Sequence, residues 1–214
     1  MTGLTRLSAP RRTMLICVVS VLSGMATAGA AEPQCATPDQ TTVVRSAFAK
    51  PTPPAPFAAA RDLKMPEATV VSALPPAQAY GVDATHFQTV WKSLESWEKS
   101  VFVVMMGGHV FETYGKVFAG EPSKRSNFFN LHGDGAGMSG HLRPDLLSAI
   151  YVLSIPGKES VMRGVMFYDL QGNAAFGVYV PGEGSKPSDA LVAQFEATAA
   201  EIRALPARCG APDA

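Results

Sequence analysis

"DLLSAIYVLSIPGKESVMRGVMFYDLQGNAAFGVYVP", residues 145–181, decides the fold class. Its three segments are rich in β-branched and aromatic residues, and Pro156-Gly157 and Gln171-Gly172-Asn173 separate them with residues that turn a chain. Toward the N-terminus, "SVFVVMM" (100–106), "HVFETYGKV" (109–117) and "SNFFNL" (126–131) read the same way, the first two parted by Gly107-Gly108. Helical spacing lies outside this run. Three short helices are expected at 41–49, 56–63 and 66–74, with Pro56 in a first turn after the proline-rich "KPTPPAPF". A fourth, at 84–99, carries Phe87, Val90, Trp91, Leu94 and Trp97 on one stripe behind Asp83 as N-cap. A last helix at 188–205 aligns Leu191, Phe195, Ala199 and Ile202. Helices on both sides of one run of strands predict an α+β fold: an antiparallel sheet with N-terminal helices and a C-terminal amphipathic helix.

The first residues set the expected compartment. Arg6, Arg11 and Arg12 precede the apolar run "MLICVVSVLSGMATAGA" and the small residues Ala28, Gly29, Ala30 and Ala31, the layout of a secretory signal peptide. Residues 1–31 are read as that signal and 32–214 as one domain, with a helical part at 41–76 and a β-rich core plus final helix at 84–205. Arg11-Arg12 leaves both general and twin-arginine export open. The run is too short and too diluted by Ser, Gly and Thr for a membrane anchor, and no span is expected after cleavage. The expected location is outside the cytoplasm, in the periplasm where there are two membranes. Cys17 leaves with the signal, so Cys35 and Cys209, near opposite ends, are expected to form one disulfide. With 18 basic and 18 acidic residues the chain is neutral, which argues against nucleic-acid binding and against reading 56–74 as a helix-turn-helix. A Gly-x-Ser-x-Gly elbow, a phosphate loop and paired metal-ligand spacings are all absent from the sequence, so hydrolase and nucleotide-binding chemistry have no residues to use.

A glycine-rich loop, "NFFNLHGDGAGMSGHL" (127–142), holds two of the four histidines. Glycines let a flat ligand approach the backbone, and a histidine after them suggests a delivered side chain; a solvated turn would look similar. "FNL", then glycines, then "GMSGH", behind a "TVW…W" helix and ahead of "FYDLQGNAAFGVYV", resembles the haem-utilisation carrier family of the ChuX/HutX type. "VVRSAFAKPTPPAPFAAARDLKMPEATVVSALP" is similar to that family's N-terminal helices, so the resemblance runs from about residue 41 to 205. It implies a β-rich α+β domain, usually a homodimer, that binds haem and passes it on in haem utilisation and iron acquisition.

Haem needs an iron ligand, an apolar slot and groups for two carboxylates. The resemblance makes His141 the iron ligand, with Gly137 and Gly140 allowing close approach and Phe128, Phe129 and Met138 lining the slot. Arg125, Arg143 and Lys124 are the nearby cations. In the family a second histidine stands near the end of the strand that here reads "VFVVMM", at the position of Met105. Its sulfur is the leading second ligand, although a strand methionine often only fills a core. His109 and His132 are the alternatives. A two-residue turn at Gly107-Gly108 would pair Met106 with His109 and Met105 with Val110, pointing Met105 and His109 to opposite faces. His86 reads as a helix-terminal residue, and Tyr114, Tyr151, Tyr168 and Tyr179 as packing.

Three functions follow: an exported haem carrier or buffer, served by a haem donor or acceptor protein; a haem-modifying or haem-degrading enzyme on the same scaffold; and a relative without iron ligation that binds another tetrapyrrole or a protein partner. The sequence has no flavin or nicotinamide motif to supply electrons to an enzyme, so the carrier ranks first.

Overall fold

The alternation of buried side chains along 147–179 explains the architecture. In the computed structural model, which describes residues 34–106, 108–133, 139–157, 160–182 and 186–210, Leu147–Pro156 (β7) sends Ile150 and Val152 to one face and Ala149, Tyr151, Leu153 and Ile155 to the other. Val161–Asp169 (β8) splits likewise, Val165 and Phe167 against Met166 and Tyr168. Both faces of these strands are covered. That is why they read as nearly unbroken apolar runs although the sheet is antiparallel.

The sheet has six antiparallel strands in the order β1-β7-β8-β9-β2-β3, where β1 is Ala79–Asp83, β2 Ser100–Met106, β3 His109–Gly115 and β9 Ala174–Tyr179. One face packs on Phe87–Leu94 (α4) and Asp189–Arg203 (α5), where Phe87, Trp91, Trp97, Phe167 and Phe195 form an aromatic core. Both tryptophans are fully buried with their N–H groups satisfied: Trp91 donates to the Phe118 carbonyl at 3.1 Å and Trp97 to Thr198 Oγ1 at 2.9 Å. The other face packs on Pro38–Phe48 (α1), Pro56–Leu63 (α2) and Glu67–Ser72 (α3). A second, three-stranded sheet is built from Gly120–Pro122 (β4), Phe129–Leu131 (β5) and Gly140–Leu142 (β6).

The expected α+β fold is the observed one, with local differences. The helix expected over 84–99 is a short 3-10 turn at Ala84–His86 followed by α4, which stops at Leu94. Asp83 does cap the turn, accepting from the Thr85 N–H at 2.9 Å. β1, β4 and β6 were not expected. Tyr114, read as a packing residue, stands exposed on β3, the sheet's edge strand, whose seven residues are all exposed. The proposed signal, residues 1–31, lies outside the described residues.

Cys35 and Cys209 form a disulfide across a separation of 174 residues. It ties the start of α1 to a C-terminal arm that lies along β1: Ala207 bridges Val82, the Arg208 N–H donates to the Gly81 carbonyl at 2.9 Å, and the Arg208 guanidinium meets Asp83 at 2.6 Å.

Candidate functional site

Period-two alternation places His141. On β5, Phe129 and Leu131 turn inward and Asn130 outward; on β6, His141 is paired with Asn130 and shares its face. Asn130 Oδ1 lies 2.8 Å from His141 Nδ1, so an amide oxygen accepts the Nδ1 proton and the neutral ring keeps its lone pair on Nε2, the nitrogen that faces away. The Phe128 ring lies 5.7 Å from the imidazole, centre to centre, and the Arg143 guanidinium 5.4 Å above Phe128. A Cβ built on Gly140, which pairs with Leu131 and so points to the face of β6 opposite His141, would meet no atom within 4 Å. An exposed imidazole held by an acceptor beside one aromatic wall suits a ligand that offers a metal at the centre of a flat apolar disc.

Other residues assigned to this loop are placed differently. Phe129 is 4% exposed and its ring packs on Phe87 and Trp91, so it belongs to the core. Arg143 is engaged by Asp145 through two hydrogen bonds of 2.7 Å, and that pairing, with a third bond from Asn127, holds the Asp145 carboxyl well below its ordinary range. His132 reaches Glu121 at 3.5 Å. Arg125 and Lys124 are exposed on the turn between β4 and β5. Gly137 and Met138 lie outside the described residues.

The end of the β2–β3 hairpin forms a second region. Met106 pairs with His109 and Met105 with Val110, the register of a two-residue turn, and Gly108 takes φ +86° there. This end faces α2, α3 and the β8–β9 turn across a groove of about 860 Å³. Met105, half-buried, borders it beside Met65; Met106, 64% exposed, and His109 border it too, because the groove wraps the tip and so touches both faces of the hairpin. Glu67 lies on its wall at 7% exposure, with Oε1 accepting from Tyr168 Oη at 3.1 Å; burial pushes this carboxyl up to about 7. Arg61 and Lys64 stand on the α2 side. His141 does not border this groove. The structure therefore gathers His141, Asn130 and Phe128 in one place and Met105, Met106 and His109 in another.

Sequence reasoning missed Asn130, Met106, Arg61 and Lys64. Asn130 was the readable one: a lone amide between two apolar residues of a strand, aligned with the histidine once the loop is folded as a hairpin.

A β-rich domain whose short strand Gly140–Leu142 carries His141 beside the main sheet can be compared with known proteins. The protein-family model for haem utilisation ChuX/HutX matches residues 80–198, more than half of the chain. The chain belongs to this family. Its match begins at β1, leaving α1 to α3 outside. Within the ChuX/HutX family, the chain is 32% identical over 127 residues to the intracellular heme transport protein HutX of Vibrio cholerae serotype O1, covering 58% of this chain but 64% of that relative. The match thus spans a little under two thirds of HutX. The solved heme-binding protein ChuX shares the fold with a TM-score of 0.65 at 20% identity, over 76% of this chain and 98% of its own. Apo-PhuS, a heme-binding protein from Pseudomonas aeruginosa, matches with a TM-score of 0.62 at 14% identity; this chain covers 49% of it. These last two likenesses speak for the fold.

Proposed function

We propose that this ChuX/HutX protein is an exported haem carrier or buffer in which His141 is the principal iron ligand. The single observation that carries the reading is the exposed imidazole fixed through Nδ1 by Asn130. Nε2 is then ready for iron without a change of tautomer. The haem-transport name of the HutX relative supports the ligand class.

The second axial ligand comes from the hairpin end, with Met105 first and His109 as the alternative. Because these residues and His141 lie in different regions of one chain, we propose a two-fold homodimer in which haem meets His141 from one copy and the hairpin end of the other. Val110, Phe111 and Tyr114 on the bare β3 edge supply apolar surface for such an association. Light scattering should give twice the chain mass at micromolar concentration, and a monomer mass would remove the dimer.

Export is supported by the basic start, the apolar run and a disulfide between the two ends of the domain, a bond suited to an oxidising compartment. N-terminal sequencing of the protein from a periplasmic extract should begin near residue 31 or 32.

Titrating hemin into the wild type and into His141→Ala, Met105→Ala, His109→Ala and His132→Ala tests the site. His141→Ala should lose most of the affinity, Met105→Ala should keep binding but shift the absorption bands, and His132→Ala should match the wild type. Unchanged binding in His141→Ala would overturn the ligand assignment.

A further inference from the structure

The residue that ends α2 is in an unusual conformation for its type. Lys64 has φ 54° and ψ 45°, the left-handed region, and is the one non-glycine residue with positive φ among the described residues. The turn it makes is a Schellman motif: the Met65 N–H donates to the Ala60 carbonyl at 3.0 Å and the Lys64 N–H to the Arg61 carbonyl at 3.3 Å. Glycine is the usual residue here because a Cβ is strained at this φ. Pro66, two residues on, forces the helix to end, but it does not require a lysine at that point.

The position of Lys64 offers a reason. Its side chain, with that of Arg61 one turn earlier, borders the groove that Met65, Met105, Met106 and His109 also border. Among the described residues the Arg61 guanidinium meets one acid, Asp62, through an exposed contact of 2.9 Å, and Lys64 pairs with none. The two acids that border the groove are both occupied. Asp169 accepts the Gln171 and Asn173 N–H groups at 2.9 and 2.8 Å and so shapes the β8–β9 turn. Glu67 is buried and bonded to Tyr168. One rim of the groove thus holds two cations with no internal partner of comparable strength.

We infer that Arg61 and Lys64 form a carboxylate clamp for an amphiphilic dianion lying in this groove, and that Lys64 keeps a strained backbone because its ammonium is needed there. The inference rests on the haem reading above, where the dianion is haem and the clamp takes its propionates. It replaces Arg143, already engaged by Asp145, as the carboxylate partner. Local strain retained at a ligand-contacting residue is a recurrent feature of binding sites.

The test separates charge from backbone. Hemin and hemin dimethyl ester, the latter in mild detergent, are titrated into the wild type, Lys64→Gly, Lys64→Ala, Lys64→Arg and Arg61→Ala at low salt, and each variant is melted without ligand. Lys64→Gly and Lys64→Ala should each bind hemin about threefold to fivefold more weakly, as should Arg61→Ala, while Lys64→Arg matches the wild type. Ester affinity should be the same in all five. Lys64→Gly alone should melt higher, by about 2–4 °C, because glycine relieves the strain. Hemin affinity unchanged in the Lys64 and Arg61 variants, or equal losses for hemin and ester, would overturn the clamp and leave the haem reading standing. Absence of saturable binding of either ligand to the wild type would overturn both.

Discussion

The two faces of the main sheet are built to different rules. The face toward α4 and α5 is an aromatic core whose polar atoms, two indole N–H groups, each have one buried acceptor. The face toward α1, α2 and α3 holds a buried carboxylic acid, the buried hydroxyl of Tyr168 bonded to it, and the Tyr151 hydroxyl 3.6 Å from the Cys209 sulfur of the disulfide. The groove opens on this second face. Apolar packing alone can hold the first face together, whereas the second gives up some of that packing for groups able to meet a ligand. The difference teaches that the chain outside the family match, from α2 to the start of α3, brings Arg61, Lys64 and Met65 to a second region whose Met105, Met106 and His109 come, like His141, from the matched part.

Removing a large ring from the first face should have the largest effect. Trp91 is fully buried and its ring packs near Phe87, Phe129, Phe167 and Phe176. Trp91→Ala should cost about 3–5 kcal/mol by chemical denaturation, from the lost transfer energy, the cavity and the freed Phe118 carbonyl. A cost below about 1 kcal/mol would show that this face is not the main source of stability.

On the second face the corresponding element is covalent. Cys35→Ser with Cys209→Ser should lower stability by about 2–4 kcal/mol, since the bond closes a 174-residue loop in the unfolded chain. Hydrogen exchange should rise first at the Arg208 N–H, which donates to the Gly81 carbonyl where the C-terminal arm lies along β1. Exchange rising uniformly instead would mean that the arm stays docked through Arg208 and Asp83 without the sulfur link.

The sequence made the two faces legible where strands are long. Alternation in 147–155 and 161–168 separates the residues of the two cores, and the helix stripe at Phe87, Val90, Trp91 and Leu94 names the side that covers one of them. It was silent on β1, where "AYGVD" follows two prolines and contains a glycine; that strand forms because β7 needs a partner and because Gly81 leaves room for the Tyr151 ring, which a Cβ would meet at under 3 Å. The His141 loop was legible as a motif, but its partner Asn130 follows from hairpin register, which the motif does not print. The groove was not legible at all. It exists only when the end of α2, the start of α3 and the tip of the β2–β3 hairpin come together from residues 57–67, 105–110 and 169–174, and no local pattern encodes that meeting.

The buried acid gives the smallest but most specific test of the contrast between faces. Glu67 has its carboxyl pushed from 4.5 to about 7, by burial first, with the hydrogen bond from Tyr168 pulling the other way. The folded protein thus prefers the protonated form more than the unfolded chain does. The stability associated with this site is fully present below the unfolded value near 4.5 and is lost as pH rises through about 7, after which it stays lost. The loss amounts to at most about 3 kcal/mol across that window. Glu67→Gln offers Tyr168 an amide oxygen in the same place and carries no charge to bury. Its stability should equal that of the wild type at pH 4.5 and exceed it progressively between pH 5 and 7, with a constant gap of roughly 1–3 kcal/mol above pH 8. Urea unfolding at pH 4.5, 6, 7 and 8.5 would read this directly. A gap that does not change with pH would mean that Glu67 stays ionised throughout, paired across the groove with Lys64, and the second face would then hold an ion pair in place of a neutral acid.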